Sequence, residues 1–348
     1  MMSSDENIAV EECRLHVFGG SFCISGKIWR CRDSVERDDG EEDVRVIAYP
    51  GWLDNAGSFD TLAPAIIRLI KRSIGGCSVS VCAVDPPGCG HSDHLPNMSF
   101  YSDVEEALVI VDIANALGWD TYTLLGHSRG GGIVAVASGI FPERTDAVIT
   151  LDSNISLSGL FPKHMGMSTP QLTRECWKRA QKNFVRKATV FPTFEAAVDA
   201  SASNPFFPKT RESARCIVRR HLVPCKGGWT FTHDVRTYGQ NQPLHISEGQ
   251  LREYIREIEA PVLMIFAAGS REFWDDVTDD YKKMVAERLD LIKDLTSVEV
   301  DGTHHVHLDD GERVAGAIVP WIVRAKNISP RSSAAAGSIS GTCPSSRL

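Results

Sequence analysis

The stretch that most constrains this chain is Thr121 to Phe141, TYTLLGHSRGGGIVAVASGIF. Within it Gly126-His127-Ser128-Arg129-Gly130 reads G-x-S-x-G. An apolar run ends at Leu125, and small and apolar residues resume at Gly130, so Ser128 stands where a strand turns sharply into a helix. Such a turn strains the serine backbone and needs glycine two positions to either side. The following helix would aim its first N–H groups and its positive dipole end at the serine oxygen. Gly130, Gly131 and Gly132 each cost roughly 1 kcal/mol inside a helix relative to Ala. Three in succession imply that the helix start approaches another part of the chain closely. The five-residue pattern is weak alone; its strand-before, helix-after setting gives it weight.

The chain has 348 residues, enough for one large α/β domain or two small ones. Its 43% hydrophobic and 24% charged content fits a globular protein with a sizeable core. A net charge of −8 argues against nucleic acid or an anionic membrane surface as partner, and no apolar stretch reaches the length of a membrane span. The opening MMSSDENIAVEEC is too acidic and polar for a secretory signal. Ten cysteines are scattered from Cys13 to Cys343 without a C-x-x-C pair or metal-ligand spacing. They read as reduced and mostly buried, Cys89 among them. No metal and no organic cofactor is implied.

Along the chain, Cys13–Phe18 and Phe22–Arg32 flank Gly19-Gly20 and predict a hairpin. Val44–Tyr49 and Val79–Val84 predict buried strands, with an amphipathic helix through Leu62, Ile66, Ile67 and Ile70 between them. Asp103–Leu117 predicts a helix, Tyr122–Leu125 the strand before Ser128, and Ala147–Leu151 a strand ending at Asp152. This alternation points to a parallel sheet covered on both faces. From Ser153 to Glu259 the rhythm changes to helices and loops without obvious buried strands. Pro261–Ala267 restores the sheet; Tyr281–Leu291, Leu295–Val300 and Glu312–Ile322 predict helix, strand and helix. After Asn327 the composition turns to Ser, Ala, Gly and Pro, as in a disordered tail.

A serine hydroxyl is a poor nucleophile until a base takes its proton. His304 is the best candidate among eleven histidines, because its loop follows the last strand and so reaches the sheet edge that carries Ser128. His305 and His307 compete with it, and His307 suits a structural neighbour. The histidine in turn needs an acid to fix its tautomer. Asp152, ending the strand after the Ser128 unit, and Asp275, in a longer loop shared with Glu272 and Asp276, both keep the order Ser, acid, His. Backbone N–H groups of Arg129 and Trp52 would hold a tetrahedral oxyanion.

The residues GWLDNAGSFD, DPPGCGHSD, GHSRGG and THHVHLDD, in this order and spacing, resemble the α/β-hydrolase superfamily, and more narrowly the serine hydrolase-like proteins near the epoxide hydrolase and haloalkane dehalogenase branch. The resemblance spans about Ile8 to Arg324. It implies an α/β-hydrolase fold: a mostly parallel sheet with helices on both faces, a core of residues 1–152 and 260–327, and an inserted helical cap of residues 153–259. It gives His304 the place of the catalytic histidine and His307 a recurrent second position. The family's usual acid position falls near Gly269-Ser270, which are not acids, whereas related branches carry the acid where Asp152 stands. That favours Asp152 over Asp275. Pro50 replaces a histidine usual in the family but leaves the Trp52 N–H in place. Cap aromatics such as Trp177, Phe206, Phe207 and Trp229 are candidates to line an apolar pocket. The run Gly227 to Asp234 resembles a stretch in relatives without suggesting any chemistry.

The expectation is therefore a serine hydrolase of the carboxylic ester class, acting on a partly apolar acyl ester through Ser128, Asp152 and His304. A serine at the elbow argues against dehalogenase or epoxide hydrolase chemistry, which uses a carboxylate. An acyltransferase or thioesterase on the same residues, or a ligand-binding protein that keeps the fold, is the alternative. The terminal Ser346-Arg347-Leu348, on residues 328–348, is similar to a peroxisomal address and implies an import receptor as partner; without it the protein would be cytoplasmic.

Overall fold

The computed structural model describes residues 8–31, 44–74, 77–96, 99–157, 162–205, 207–238, 245–270 and 277–326. Strands β1 (Ala9–Val17) and β2 (Phe22–Cys31) form the expected antiparallel hairpin, turning through Gly19 and Gly20 at φ 65° and 90°. Strand and helix then alternate: β3 (Val44–Tyr49), α1 (Leu62–Ser73), β4 (Val79–Val84), α2 (Asp103–Leu117), β5 (Tyr122–His127), α3 (Arg129–Ile140) and β6 (Thr145–Leu151). An inserted segment carries α4 (Thr169–Phe184), β7 (Val190–Phe191), α5 (Phe194–Ala202), α6 (Arg211–His221), β8 (Leu222–Cys225), β9 (Gly228–Phe231) and α7 (Glu248–Arg256). The chain closes with β10 (Val262–Ala267), α8 (Asp279–Leu289), β11 (Leu295–Val300), α9 (Val306–Asp309) and α10 (Gly311–Ala325).

Eight strands form one sheet in the order β1-β2-β4-β3-β5-β6-β10-β11. β2 runs antiparallel to both its neighbours, and from β4 to β11 all pairs are parallel. Successive residues of β3 point to opposite faces, and both faces are dry. Val46 and Ala48 pack with Ile66, Ile70, Val314 and Ile318 of α1 and α10, while Ile47 and Tyr49 pack with Ile110, Ile133 and Leu251 of α2, α3 and α7. That is why these strands read as unbroken apolar runs rather than as alternating ones. Ile66, Ile67 and Ile70 are completely buried, each such side chain contributing roughly 1.5–3 kcal/mol.

The inserted segment differs from its sequence reading in one respect: β7, β9 and β8 make a three-stranded antiparallel sheet. These strands are two to four residues long and largely half-buried, so they leave no apolar run in the sequence. The Gly227-Gly228 pair belongs to their hairpin. Gly228 has φ 144°, and a Cβ there would come within 2.0 Å of the Phe191 carbonyl. The segment is tied to the sheet edge by polar contacts. Arg220 of α6 forks onto buried Asp85 at 2.8 and 2.9 Å, Thr232 Oγ1 donates to the Gly90 carbonyl, and the Asp234 N–H donates to the Gly88 carbonyl. The Asp85–Ser92 motif therefore serves as a platform for the insertion. Cys89 within it is a buried thiol, as are most cysteines among the described residues, none of which forms a disulfide.

Candidate active site

Ser128 sits between β5 and α3 with φ 52° and ψ −120°, a strained conformation for a residue with a side chain. The flanking glycines are sterically required. A Cβ on Gly126 would lie 2.4 Å from the Gly130 carbonyl oxygen, and one on Gly130 would lie 2.4 and 2.6 Å from those of Tyr49 and Pro50. The next two explain the rest of the triple glycine: Gly131 faces the Ser153 side chain and Gly132 the Ser156–Leu157 backbone and side chain, each closer than 3 Å to any added Cβ. The start of α3 is thus wedged between the loops after β3 and β6.

The Arg129 side chain turns away from the serine into α2. It donates to Glu106 at 2.7 and 2.9 Å and to Asp103 at 2.6 Å, and Glu106 also accepts from the Tyr49 hydroxyl. Burial opposes the guanidinium charge, but Glu106 and Asp103 outweigh it and hold the group firmly protonated. The backbone N–H of Arg129 belongs to the first turn of α3, which has no intrahelical acceptor for it. The loop carrying Trp52 runs directly beside the elbow: a Cβ on Gly51 would lie 3.3 Å from Ser128 Cβ. The Trp52 ring is partly exposed and its Nε1 donates to the Thr237 carbonyl of the insertion.

Asp152 and His304 meet at the same edge. His304 Nδ1 lies 2.5 Å from Asp152 Oδ2, both residues are buried, and Asp152 Oδ1 accepts from the Ala267 N–H at 3.0 Å. Asp152 has φ 45°, so it too is held in an uncommon conformation. The Ser270 side chain, at the position where the resemblance would place an acid, instead favours the charged form of Asp152. Burial pushes the Asp152 carboxyl upward, but the His304 ring, Ser270 and the Ala267 amide together bring it below its usual value. Burial lowers the His304 imidazolium despite Asp152, and neighbouring His127 lowers it further. Because the carboxylate only accepts, Nδ1 carries the hydrogen, and neutral His304 keeps its lone pair on Nε2. Among the described residues no hydrogen bond joins this ring to Ser128 Oγ; the His127 ring, next to the serine in sequence, lies 4.7 Å from that of His304.

His305 and His307 face elsewhere. His305 Nε2 is 3.4 Å from Asp54 Oδ2, and His307 Nε2 is 2.9 Å from Ser58 Oγ. Asp275, Glu272, Asp276 and Phe206 lie outside the described residues. Of the other aromatic candidates, Phe207 stacks over His304, whereas Trp229 packs on Phe194 within the insertion and Trp177 meets Phe100. Sequence reasoning passed over Asp54 and His127, which are buried directly beneath the elbow. Burial opposes the Asp54 charge, and it is positive charge on the side of the facing His127 and His305 rings that holds its carboxyl well below the usual range. Asp54, His127 and His305 are also the one group among the described residues whose ligand atoms lie close enough to share a metal ion. No spacing rule finds it, since the three come from separate parts of the chain.

The chain has counterparts among known proteins. The family model described as alpha/beta hydrolase fold matches residues 44–311. A serine hydrolase-like protein of Danio rerio is 27% identical, covering 80% of this chain and 81% of that protein. A probable serine hydrolase of Drosophila melanogaster is 29% identical over the same shares. The crystal structure of a hypothetical protein from Pseudomonas aeruginosa superposes with a TM-score of 0.71 at 26% identity, covering 90% of this chain and 98% of that one. A thioesterase domain from the curacin biosynthetic pathway shares the fold, with a TM-score of 0.66 at 18% identity and coverage of 90% and 99%. No described helix is long and apolar enough to cross a membrane. With its eight-stranded sheet, its serine elbow and this match over most of its length, the chain belongs to the α/β-hydrolase fold family and is similar within it to the serine hydrolase-like proteins.

Proposed function

We propose that this protein is a serine hydrolase that cleaves an ester or related acyl bond of a partly apolar small molecule. The observation that carries the reading is the Asp152–His304 pair, 2.5 Å apart, at the sheet edge that presents Ser128. As His304 Nε2 takes the hydroxyl proton, Ser128 Oγ bonds to the acyl carbon and the carbonyl electrons move onto oxygen. The N–H groups of Trp52 and Arg129 stabilise that oxyanion. Collapse expels the alcohol, which receives the proton from His304; water then repeats the sequence and releases the acid. Asp152 keeps the hydrogen on Nδ1 and supports the imidazolium. The insertion of residues 153–259 acts as the cap, with Phe207 among the residues that shape the acyl site.

The test is covalent labelling by a fluorophosphonate. Wild type labels and Ser128→Ala does not; equal labelling of both, or of neither, overturns the reading. For the terminal Ser346-Arg347-Leu348, which lie outside the described residues, peroxisomal import is proposed. Deleting Leu348 from a fluorescent fusion should then leave it diffuse in the cytoplasm, and unchanged distribution removes the proposal.

A further inference from the structure

Three side chains from distant parts of the chain converge beneath the elbow: Asp54 from the loop after β3, His127 at the end of β5 and His305 just before α9. All three are buried, with His127 exposed by 1%. Asp54 Oδ2 is 3.7 Å from His127 Nδ1 and 3.4 Å from His305 Nε2, and all three ligand atoms lie within 4.8 Å of one another.

The tautomer of His127 follows from its other nitrogen. Nε2 lies 2.9 Å from the His304 carbonyl oxygen, which only accepts, so Nε2 carries a hydrogen. In the neutral ring Nδ1 is then a bare lone pair, buried, without a hydrogen-bond partner, and directed at a carboxylate. Two electron-rich atoms facing each other require a cation between them. A proton is poorly suited, because 3.4 and 3.7 Å exceed the usual 2.7–3.2 Å of an N–H···O bond. A tetrahedral ion with bonds of 2.0–2.1 Å holds its ligands about 3.3 Å apart, close to both separations. A ring that gives one nitrogen to a metal and donates the other N–H to a backbone carbonyl is also the usual arrangement of a metal-bound histidine.

We infer that Asp54, His127 and His305 form a binding site for a divalent transition cation of the zinc class, with water completing the coordination. Two imidazoles and a carboxylate suit Zn²⁺. Gly51 leaves the approach open, since a Cβ there would lie 2.9 Å from His127 Nδ1. Ser58 Oγ donates to Asp54 Oδ2 at 3.3 Å, and the Lys209 ammonium also acts on Asp54. The ion clamps the loop after β3, the elbow and the loop after β11 together, and it does so whether or not Ser128 is a nucleophile.

The experiment uses the full chain, stripped with a chelator and titrated with Co²⁺ and then Zn²⁺. One equivalent of Co²⁺ should give visible bands of a four- or five-coordinate nitrogen and oxygen site, Zn²⁺ should displace it, and bound Zn²⁺ should raise the melting temperature. Asp54→Asn and His305→Gln should each weaken binding at least ~10-fold, while Ser128→Ala binds normally. Absence of stoichiometric binding, unchanged affinity in both ligand variants, or cobalt–thiolate charge-transfer bands that locate the ion on cysteines would overturn the site. Should both ligand variants fail to fold, anomalous diffraction from zinc-soaked wild type decides. A peak about 2 Å from the three ligand atoms supports the site and a peak only elsewhere refutes it.

Discussion

Phe207 lies over the ring of His304, the centroids 4.3 Å apart and the planes inclined by 30°. A residue of the insertion thereby covers the imidazole that Asp152 orients, and helps to exclude water from it. Truncating Phe207 to Ala removes that cover and lets the ring rotate about its bond to Asp152. The expected outcome in steady-state ester hydrolysis is a fall in kcat/KM of about tenfold, or roughly 1.4 kcal/mol, with the melting temperature little changed. Unaltered kinetics would show that the stack is only packing.

In the proposed mechanism Asp152→Asn removes the charge that supports the imidazolium and offers His304 Nδ1 a group able to impose the wrong tautomer. Turnover should drop by about 10³- to 10⁴-fold. Asp275→Asn, measured alongside, should retain turnover near wild type. The reverse pattern would transfer the acid's role to Asp275.

Gly130 at the elbow and Gly316 in α10 should respond to alanine in opposite ways. At Gly130 the added methyl meets two backbone carbonyls at 2.4 and 2.6 Å, neither of which can swing aside, and a loss of about 3 kcal/mol is expected. At Gly316 in α10 nothing lies within 4 Å of the added Cβ and the backbone is helical. Gly316→Ala should therefore stabilise the protein by up to about 1 kcal/mol. Chemical denaturation of the two variants against wild type decides both.

Two histidines of the insertion should make stability sensitive to acid. Burial lowers His221 to about 4 and His233 to about 3, against an ordinary value near 6.5 in the unfolded chain. Both are neutral when folded, so the unfolded chain binds more protons as pH falls. Their stabilising effect is complete above pH 6.5 and is lost progressively toward pH 4. For His221 the loss by pH 4 is of the order of 3 kcal/mol. Thermal melts between pH 7 and pH 4 should show this decline, and His221→Gln should flatten it; an equally steep decline in that variant would exclude His221 as a source.

The amino-acid sequence by itself determined the strand–helix alternation, the hairpin at Gly19-Gly20 and the turn at Ser128. Each of these rests on local causes: apolar runs of strand length, glycines where no side chain fits, and helix periodicity. It also brought Asp152, Asp275 and the histidines of Thr303–His307 into consideration through their places after strands. Only the tertiary structure decided which of these groups touch. Asp152 reaches the Ala267 amide and Ser270 because β6 and β10 pair with Leu151 opposite Ile265, a register with no trace in either strand alone. The same holds for the histidines, which a single turn of backbone sends to three different partners: Asp152, Asp54 and Ser58. The small sheet of the insertion and the meeting of Asp54 with His127 stayed hidden for a related reason. Short half-buried strands and side chains 73 residues apart acquire their neighbours only when the whole sheet has closed.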